Sequence, residues 1–150
     1  MKKVNHLIYS VIHIYKITFD ANGGISDIIS KEVRSTEKYG DLPIPTREFY
    51  IFEGWYKELS FTNEITNNTL VLITKNTTLY AKWNPVSFTI SFQSNGGTPV
   101  DPITQQHGSE IVQPKEPQKE EYIFVGWFED SHLEKLYIFS VLPTQNYHYY

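Results

Sequence analysis

The sequence is an imperfect duplicate of itself, and that constrains the fold more than any local window does. "ITFDANGG" (Ile17–Gly24) returns as "ISFQSNGG" (Ile90–Gly97), and "YIFEGWY" (Tyr50–Tyr56) returns as "YIFVGWF" (Tyr122–Phe128). "TKNTTLY" (Thr74–Tyr80) has its partner in "TQNYHYY" (Thr144–Tyr150). The order of the three words is the same in both halves. The Asn-Gly pairs stand 73 residues apart (Asn22 and Asn95), the Gly-Trp pairs 72 (Trp55 and Trp127) and the closing Tyr pair 70 (Tyr80 and Tyr150), so only small insertions separate the copies. A period of this kind marks one small structural unit used twice. The expected division is a leader over 1–11, a first module over 12–84 and a second over 85–150 that is truncated at its C-terminal end. The break falls at "KWNPVS", where Pro85 pushes Asn84 toward an extended backbone.

Within each unit the pattern is that of strands. Tyr15, Ile17 and Phe19 alternate with Lys16, Thr18 and Asp20, as Phe88, Ile90 and Phe92 alternate with polar neighbours, which is the period of a strand with one buried face. Asn22-Gly23 and Asn95-Gly96 then suit a tight reversal, since Asn tolerates a left-handed backbone and Gly takes positive φ without a Cβ clash. Gly24 and Gly97 follow, available for a bulge or a close approach. A second strand is expected near Ser30–Thr36 and, less clearly, near Thr104–Val112. The connectors hold Pro43 and Pro45, or Pro114 and Pro117, which disfavour long helix or central strand but leave room for a short helical turn. Third strands are expected over Tyr50–Tyr56 and Tyr122–Phe128, ending on Gly54-Trp55 and Gly126-Trp127, and a closing strand over Thr77–Trp83. Burying one Trp removes on the order of 150 to 250 Å² from water, worth roughly 4 to 6 kcal/mol. A term of that size matters in a unit this small.

Composition agrees with a packed, strand-rich chain. It is 40% hydrophobic, 20% charged and 15% aromatic, with 11 Tyr, 9 Phe and 3 Trp among 150 residues. Its 13 basic against 17 acidic residues give a net charge of −4, which argues against nucleic acid or an anionic membrane as the main partner. There is no cysteine, so disulfides, thiol catalysis and Cys-ligated zinc are excluded. No apolar run has the length of a transmembrane helix. The opening "MKKVNHLIYSVIHIY" is broken by Asn5, His6 and His13 and reads as a leader or first strand rather than a secretory signal.

Nothing in the sequence assembles into a reactive centre. His6, His13, His107, His132 and His148 show no metal-ligand spacing, no Ser sits in a nucleophile motif, and the glycines do not follow a phosphate-binding pattern. Neither cofactor nor metal is expected. Asp20 is the tempting carboxylate beside its turn, but its counterpart is Gln93, so a turn role is expected for it. Glu120-Glu121 and Glu129-Asp130 read as solvated edges. Trp55, Trp127 and Trp83 read as core anchors before a sugar-stacking face, while Tyr122, Tyr137 and the terminal Tyr147, Tyr149 and Tyr150 are freer to meet a partner. Sequons at Asn67–Thr69 and Asn76–Thr78 have meaning only in a glycosylating host.

These words in this order, "YKITFDANGG", a Tyr-Gly followed by two prolines, "YIFEGWY" and "NTTLYAKW", resemble the bacterial Listeria-Bacteroides repeat, the family of internalin B B-repeat-like modules. The resemblance covers nearly the whole chain after Val11, in two copies. It carries the signature onto Phe19, Asn22, Gly23, Gly24, Gly54, Trp55, Tyr80 and Trp83, and onto Phe92, Asn95, Gly96, Gly97, Gly126 and Trp127. The second copy departs from it where His107 stands in the place of Tyr39, and where Tyr150 precedes any counterpart of Ala81, Lys82 and Trp83. The resemblance implies two tandem small β-grasp-like (ubiquitin-like) modules, of mainly β or α+β class. It implies a non-catalytic stalk, spacer or adhesion module of a bacterial cell-surface or secreted protein, flanked by further repeats and meeting a protein or glycan on a surface. A dedicated protein- or glycan-binding domain presenting Tyr and Trp is the alternative. The second unit is expected to be the less stable.

Overall fold

The computed structural model describes residues 11–139 and 144–150, so the expected leader over 1–11 lies, but for Val11, outside the described residues. The chain divides between Asn84 and Pro85 into two compact units. Strands β1 (Ile14–Asp20), β2 (Ser30–Arg34), β3 (Tyr50–Tyr56), β4 (Glu64–Ile65) and β5 (Thr77–Pro85) form the sheet of the first, in the order β2-β1-β5-β3-β4. Strands β6 (Ser87–Phe92), β7 (Ile103–Gln106) and β8 (Tyr147–Tyr149) form that of the second, in the order β7-β6-β8. The class is mainly β in two small sheet modules, and among the described residues there is no helix.

Each sheet is mixed for the same reason. β1 pairs antiparallel with β2, Thr18 facing Ser30, and parallel with β5, Phe19 facing Leu79. β6 repeats this, Ile90 facing Ile103 on the antiparallel side and Tyr147 on the parallel side. A parallel pair cannot be closed by a hairpin and needs a long crossover, so everything between β1 and β5 is that crossover. An Asn side chain holds each parallel pair at its start: the Asn76 amide oxygen accepts from the Lys16 N–H at 2.9 Å, and that of Asn146 from the Thr89 N–H at 2.8 Å. The alternation along β1 is realised, Ile17 and Phe19 being buried between exposed Lys16, Thr18 and Asp20.

The first core packs Ile17, Phe19, Val33, Tyr39, Trp55, Ile65, Val71, Leu79 and Ala81 together. The second, among the described residues, has Ile90, Trp127 and Tyr149, flanked by half-buried aromatics such as Phe92, Phe124 and Tyr137. Aromatic rings thus carry most of the smaller core.

Three expectations are corrected. The Pro-bearing connector of the first unit makes no helical turn; it runs irregularly, pinned by the Ile25–Thr46 bridge, and the Pro43 carbonyl is used by Trp55. The second strand of the second unit is only Ile103–Gln106, because a turn with Gly108 at φ +80° ends it and the Gln105 amide folds over to bond the Val112 N–H and the Glu110 carbonyl. Most consequential, the predicted strand over Tyr122–Phe128 does not form: residues 122–127 are in no strand and only Phe128 makes a bridge, to Leu136. In the first unit β3 lies beside β5, which runs on to Pro85. In the second, Phe128 and Tyr150 exchange two backbone hydrogen bonds, at 2.9 and 3.0 Å, and the Trp127 carbonyl accepts from the Tyr137 N–H at 2.8 Å. Among the described residues no strand pairs with the backbone from Tyr122 to Trp127.

Candidate functional site

Both copies of the Asn-Gly-Gly word build the same corner. Asn22 and Gly23 have φ of 46° and 86°, Asn95 and Gly96 of 48° and 85°, so both central residues of each turn are left-handed, which suits Asn and Gly above other residues. The Gly24 N–H closes onto the Ala21 carbonyl at 2.9 Å, and the Gly97 N–H onto Ser94 at the same distance. Asp20 accepts from the Asn22 N–H at 2.8 Å, a contact within the turn. The turns do not join two strands directly, since β2 begins only at Ser30. A cation closes each corner: Arg47 donates to the Asn22 carbonyl at 3.2 Å and lies over the Tyr50 ring, and Lys119 donates to the Asn95 carbonyl at 2.9 Å and lies over the Tyr122 ring.

Behind the corner the aromatic signature repeats nearly ring for ring. Phe19 and Trp55 have centroids 4.9 Å apart at 53°, and Phe92 and Trp127 4.7 Å apart at 50°. Phe52 meets Trp55 edge-on at 5.6 Å, as Phe124 meets Trp127 at 5.3 Å. Trp55 is 1% exposed and Trp127 4%. The Trp55 indole N–H donates to the Pro43 carbonyl at 2.7 Å, so its one polar group is satisfied inside the unit. Gly54 and Gly126 precede these indoles in different conformations. Gly126 has φ of +143° and a Cβ there would meet Leu136 at 2.5 Å, while Gly54 is not left-handed and faces Glu64 at 3.1 Å.

The two units also differ above the corner. In the first, Trp83 folds over the corner: its indole N–H donates to the Ala21 carbonyl at 2.9 Å, its ring meets Phe52 edge-on at 5.5 Å, and a Cβ on Gly24 would stand 2.5 Å from its Cζ2. Half-buried Tyr80 precedes it in β5, and Lys82 between them bonds Glu53 at 2.7 Å. In the second unit the counterparts of Ala21, Gly24 and Phe52, which are Ser94, Gly97 and Phe124, line a groove of about 210 Å³ together with Trp127 and Tyr150. A Cβ on Gly97 would meet only Ser94 and Gln118 carbonyls and Pro117, at 3.1 to 3.4 Å. Along its rim Tyr122, Ile123 and Val125 are 68%, 89% and 76% exposed. The walls of the groove are mostly apolar.

Two carboxylates hold loops. Glu58 accepts from the Asn63 N–H at 2.9 Å and from the Thr62 hydroxyl, and these bonds, that of Thr62 foremost, lower its pKa. Asp130, at the same place in the second copy, accepts from the backbone N–H groups of Lys135 at 2.8 Å and His132 at 2.9 Å. The bond from Lys135 is the main cause of its lowered pKa. Asp130 is thus a loop clamp and not the solvated edge read from Glu129-Asp130. Burial, followed by the bond with Tyr137, raises the pKa of Tyr149. Among the described residues, no three His, Asp or Glu side chains converge as metal ligands would.

A twice-used small β module whose signature residues make turns and aromatic packing defines a tandem-repeat protein. The Listeria-Bacteroides repeat domain matches residues 15–82 and 88–148, and the chain belongs to that family. It is 35% identical over 129 residues, 86% of its length, to a protein of Evansella cellulosilytica named "Putative membrane protein", and 29% identical over 115 residues, 77% of its length, to Internalin H of Listeria monocytogenes. It spans 19% and 20% of those relatives' own lengths, respectively. No helix among the described residues is long and apolar enough to cross a membrane.

Proposed function

We propose that this pair of repeats is a non-catalytic segment of a bacterial cell-surface protein, working as a spacer between other parts of a longer chain and as an adhesive contact. The observation that carries this reading is the use of the signature itself. In both copies the Asn-Gly-Gly corner is closed by its own cation and backed by the same Phe-Trp pair, so the signature residues make structure in each. The names of the relatives, a membrane protein and an internalin, support the surface assignment. The test is antibody labelling of intact cells producing the parent protein, beside cells in which residues 12–150 are deleted in frame. Spacer and contact roles require surface labelling, with the deletion reducing attachment or changing the reach of the flanking segments. Labelling only after lysis would overturn the reading.

The alternative, a dedicated binding domain, is favoured by one observation: the exposed run Tyr122, Ile123 and Val125 beside an apolar groove in the second unit.

A further inference from the structure

We infer that β2, the outer strand of the first sheet, is a self-pairing edge. Two copies of this chain join there, antiparallel about a two-fold axis at Val33, into one continuous sheet. This goes beyond the spacer and contact reading and does not rest on it.

β2 ends the strand order of its sheet, and the opposite edge is only the two residues Glu64–Ile65. The β1–β2 register fixes which backbone groups of β2 are open. The Phe19 N–H donates to the Ile29 carbonyl at 2.9 Å and the Ser35 N–H to the His13 carbonyl at 2.8 Å, at the two ends of a ladder in which Tyr15 faces Val33 and Ile17 faces Lys31. Antiparallel partners alternate between bonded and non-bonded pairs. Lys31 and Val33 therefore direct their backbone groups to β1, and Ser30, Glu32 and Arg34 direct theirs away from the sheet. Outside the strand ladders, the one backbone hydrogen bond to these three among the described residues is that of the Glu37 N–H to the Arg34 carbonyl, at 3.2 Å, in the turn that ends β2.

Such an edge accepts a further strand unless its side chains forbid it. Here they select one. Glu32 and Arg34 are exposed on either side of buried Val33. A two-fold axis at Val33 sets Glu32 of each chain directly opposite Arg34 of the other. These are also the residues whose backbone groups point outward, so ion pairs and main-chain bonds form in the same register. Sliding one strand by two residues places Glu32 opposite Glu32 or Arg34 opposite Arg34, which like charges oppose. Lys16 faces Glu32 within the first sheet, so each Glu32 stands between a lysine of its own chain and an arginine of the other. In the single chain Arg34 meets Glu37 at 3.8 Å with both side chains more than half exposed, a loose contact that leaves it able to turn to Glu32 of the second copy.

The second unit has the same edge without the charges. β7 pairs with β6 as β2 does with β1, and Thr104 and Gln106 stand where Glu32 and Arg34 stand. The self-complementary pair belongs to the first unit alone.

The test is sedimentation equilibrium of the full 150-residue chain at low ionic strength, with amide shifts followed on dilution. The expected result is a weak dimer, with a Kd of about 0.1 to 1 mM, whose formation shifts the Glu32 and Arg34 amides and which weakens with added salt. Arg34→Glu and Glu32→Arg should each weaken self-association about tenfold or more. An equimolar mixture of the two variants sets Arg opposite Glu at both positions and should associate at least as tightly as the parent. The double exchange, Glu32→Arg with Arg34→Glu, should restore the dimer. Unshifted Ile17 and Val33 amides in each variant confirm that the fold is kept. A chain that stays monomeric at about 1 mM would overturn the inference. So would self-association that neither reversal weakens, the outcome expected if exposed apolar residues such as Ile25 and Ile44 carried it, or a loss that neither mixing nor the double exchange restores.

Discussion

Trp83 occupies the space that any side chain on Gly24 would need: a Cβ there would lie 2.5 Å from Cζ2 of the indole and 2.7 Å from the Thr46 carbonyl. Trp83 comes from the end of β5 and Gly24 from the turn after β1, so the contact ties together the parallel strands at the centre of the sheet. The second glycine of the first Asn-Gly-Gly word thus leaves room for both the indole and a backbone carbonyl. No indole is among the three atoms nearest to a Cβ placed on Gly97.

Gly24→Ala should therefore destabilise the first unit by about 1 to 3 kcal/mol, the range for overpacking a filled site against backbone and a ring that is itself hydrogen-bonded. Gly97→Ala should cost clearly less, since its nearest neighbours stand at 3.1 to 3.4 Å. Chemical denaturation of the two variants measures the difference. Equal losses would mean that the indole is not what restricts Gly24.

The three tryptophans should report their burial separately. Trp55 and Trp127 are 1% and 4% exposed, whereas Trp83 is only half-buried. A soluble quencher should reach Trp83 and leave the emission of Trp55 and Trp127 nearly unchanged, as read on single-Trp variants with Phe at the other two positions. Trp55→Ala should cost about 3 to 5 kcal/mol, in the range for removing a buried aromatic. Efficient quenching of Trp55 or Trp127 in the folded chain would favour a binding face over a core.

How far the sequence could be read depended on whether the deciding neighbour was local. Tyr50–Tyr56 and the two left-handed turns were legible because alternation and Asn-Gly chemistry act within a few residues. The parallel pairing of β1 with β5 was not, because it joins residues 60 apart, Ile17 with Thr77 and Phe19 with Leu79, and no spacing rule reports it. The absence of a strand over Tyr122–Trp127 was not legible either, since these residues nearly repeat those of β3. The loop roles of Glu58 and of Asp130, which reads as a solvated edge, were not legible because an acid accepting from backbone N–H groups a few residues ahead leaves no motif, and the two copies use different acids.

Those two carboxylates carry a pH dependence whose sign follows from their partners. Hydrogen bonds to the charged form lower the pKa of Glu58 and of Asp130 below their ordinary values of about 4. A carboxyl with a depressed folded-state pKa stabilises the fold above its unfolded pKa, and that stabilisation is lost as pH falls through the folded value. The loops at Glu58–Asn63 and Asp130–Lys135 should accordingly keep their amide protection near neutral pH and lose it below about pH 4. Asp130→Asn should produce the loosened second loop at neutral pH, and Glu58→Gln the first. Protection in Asp130→Asn that matches the parent at pH 7 would remove Asp130 from this role.

Stability should be unequal between the copies. The first unit closes a five-stranded sheet over nine buried core residues, while the second shows a three-stranded sheet and three such residues among those described. Amide protection follows buried apolar contact and shielded backbone hydrogen bonds. Native-state hydrogen exchange should find the slowest amides at Ile17, Phe19 and Leu79, with β6 exchanging faster and residues 123–125 exchanging fastest of the positions matched between copies. Equal protection of the two units would show that the smaller core holds the second unit as firmly as the larger core holds the first.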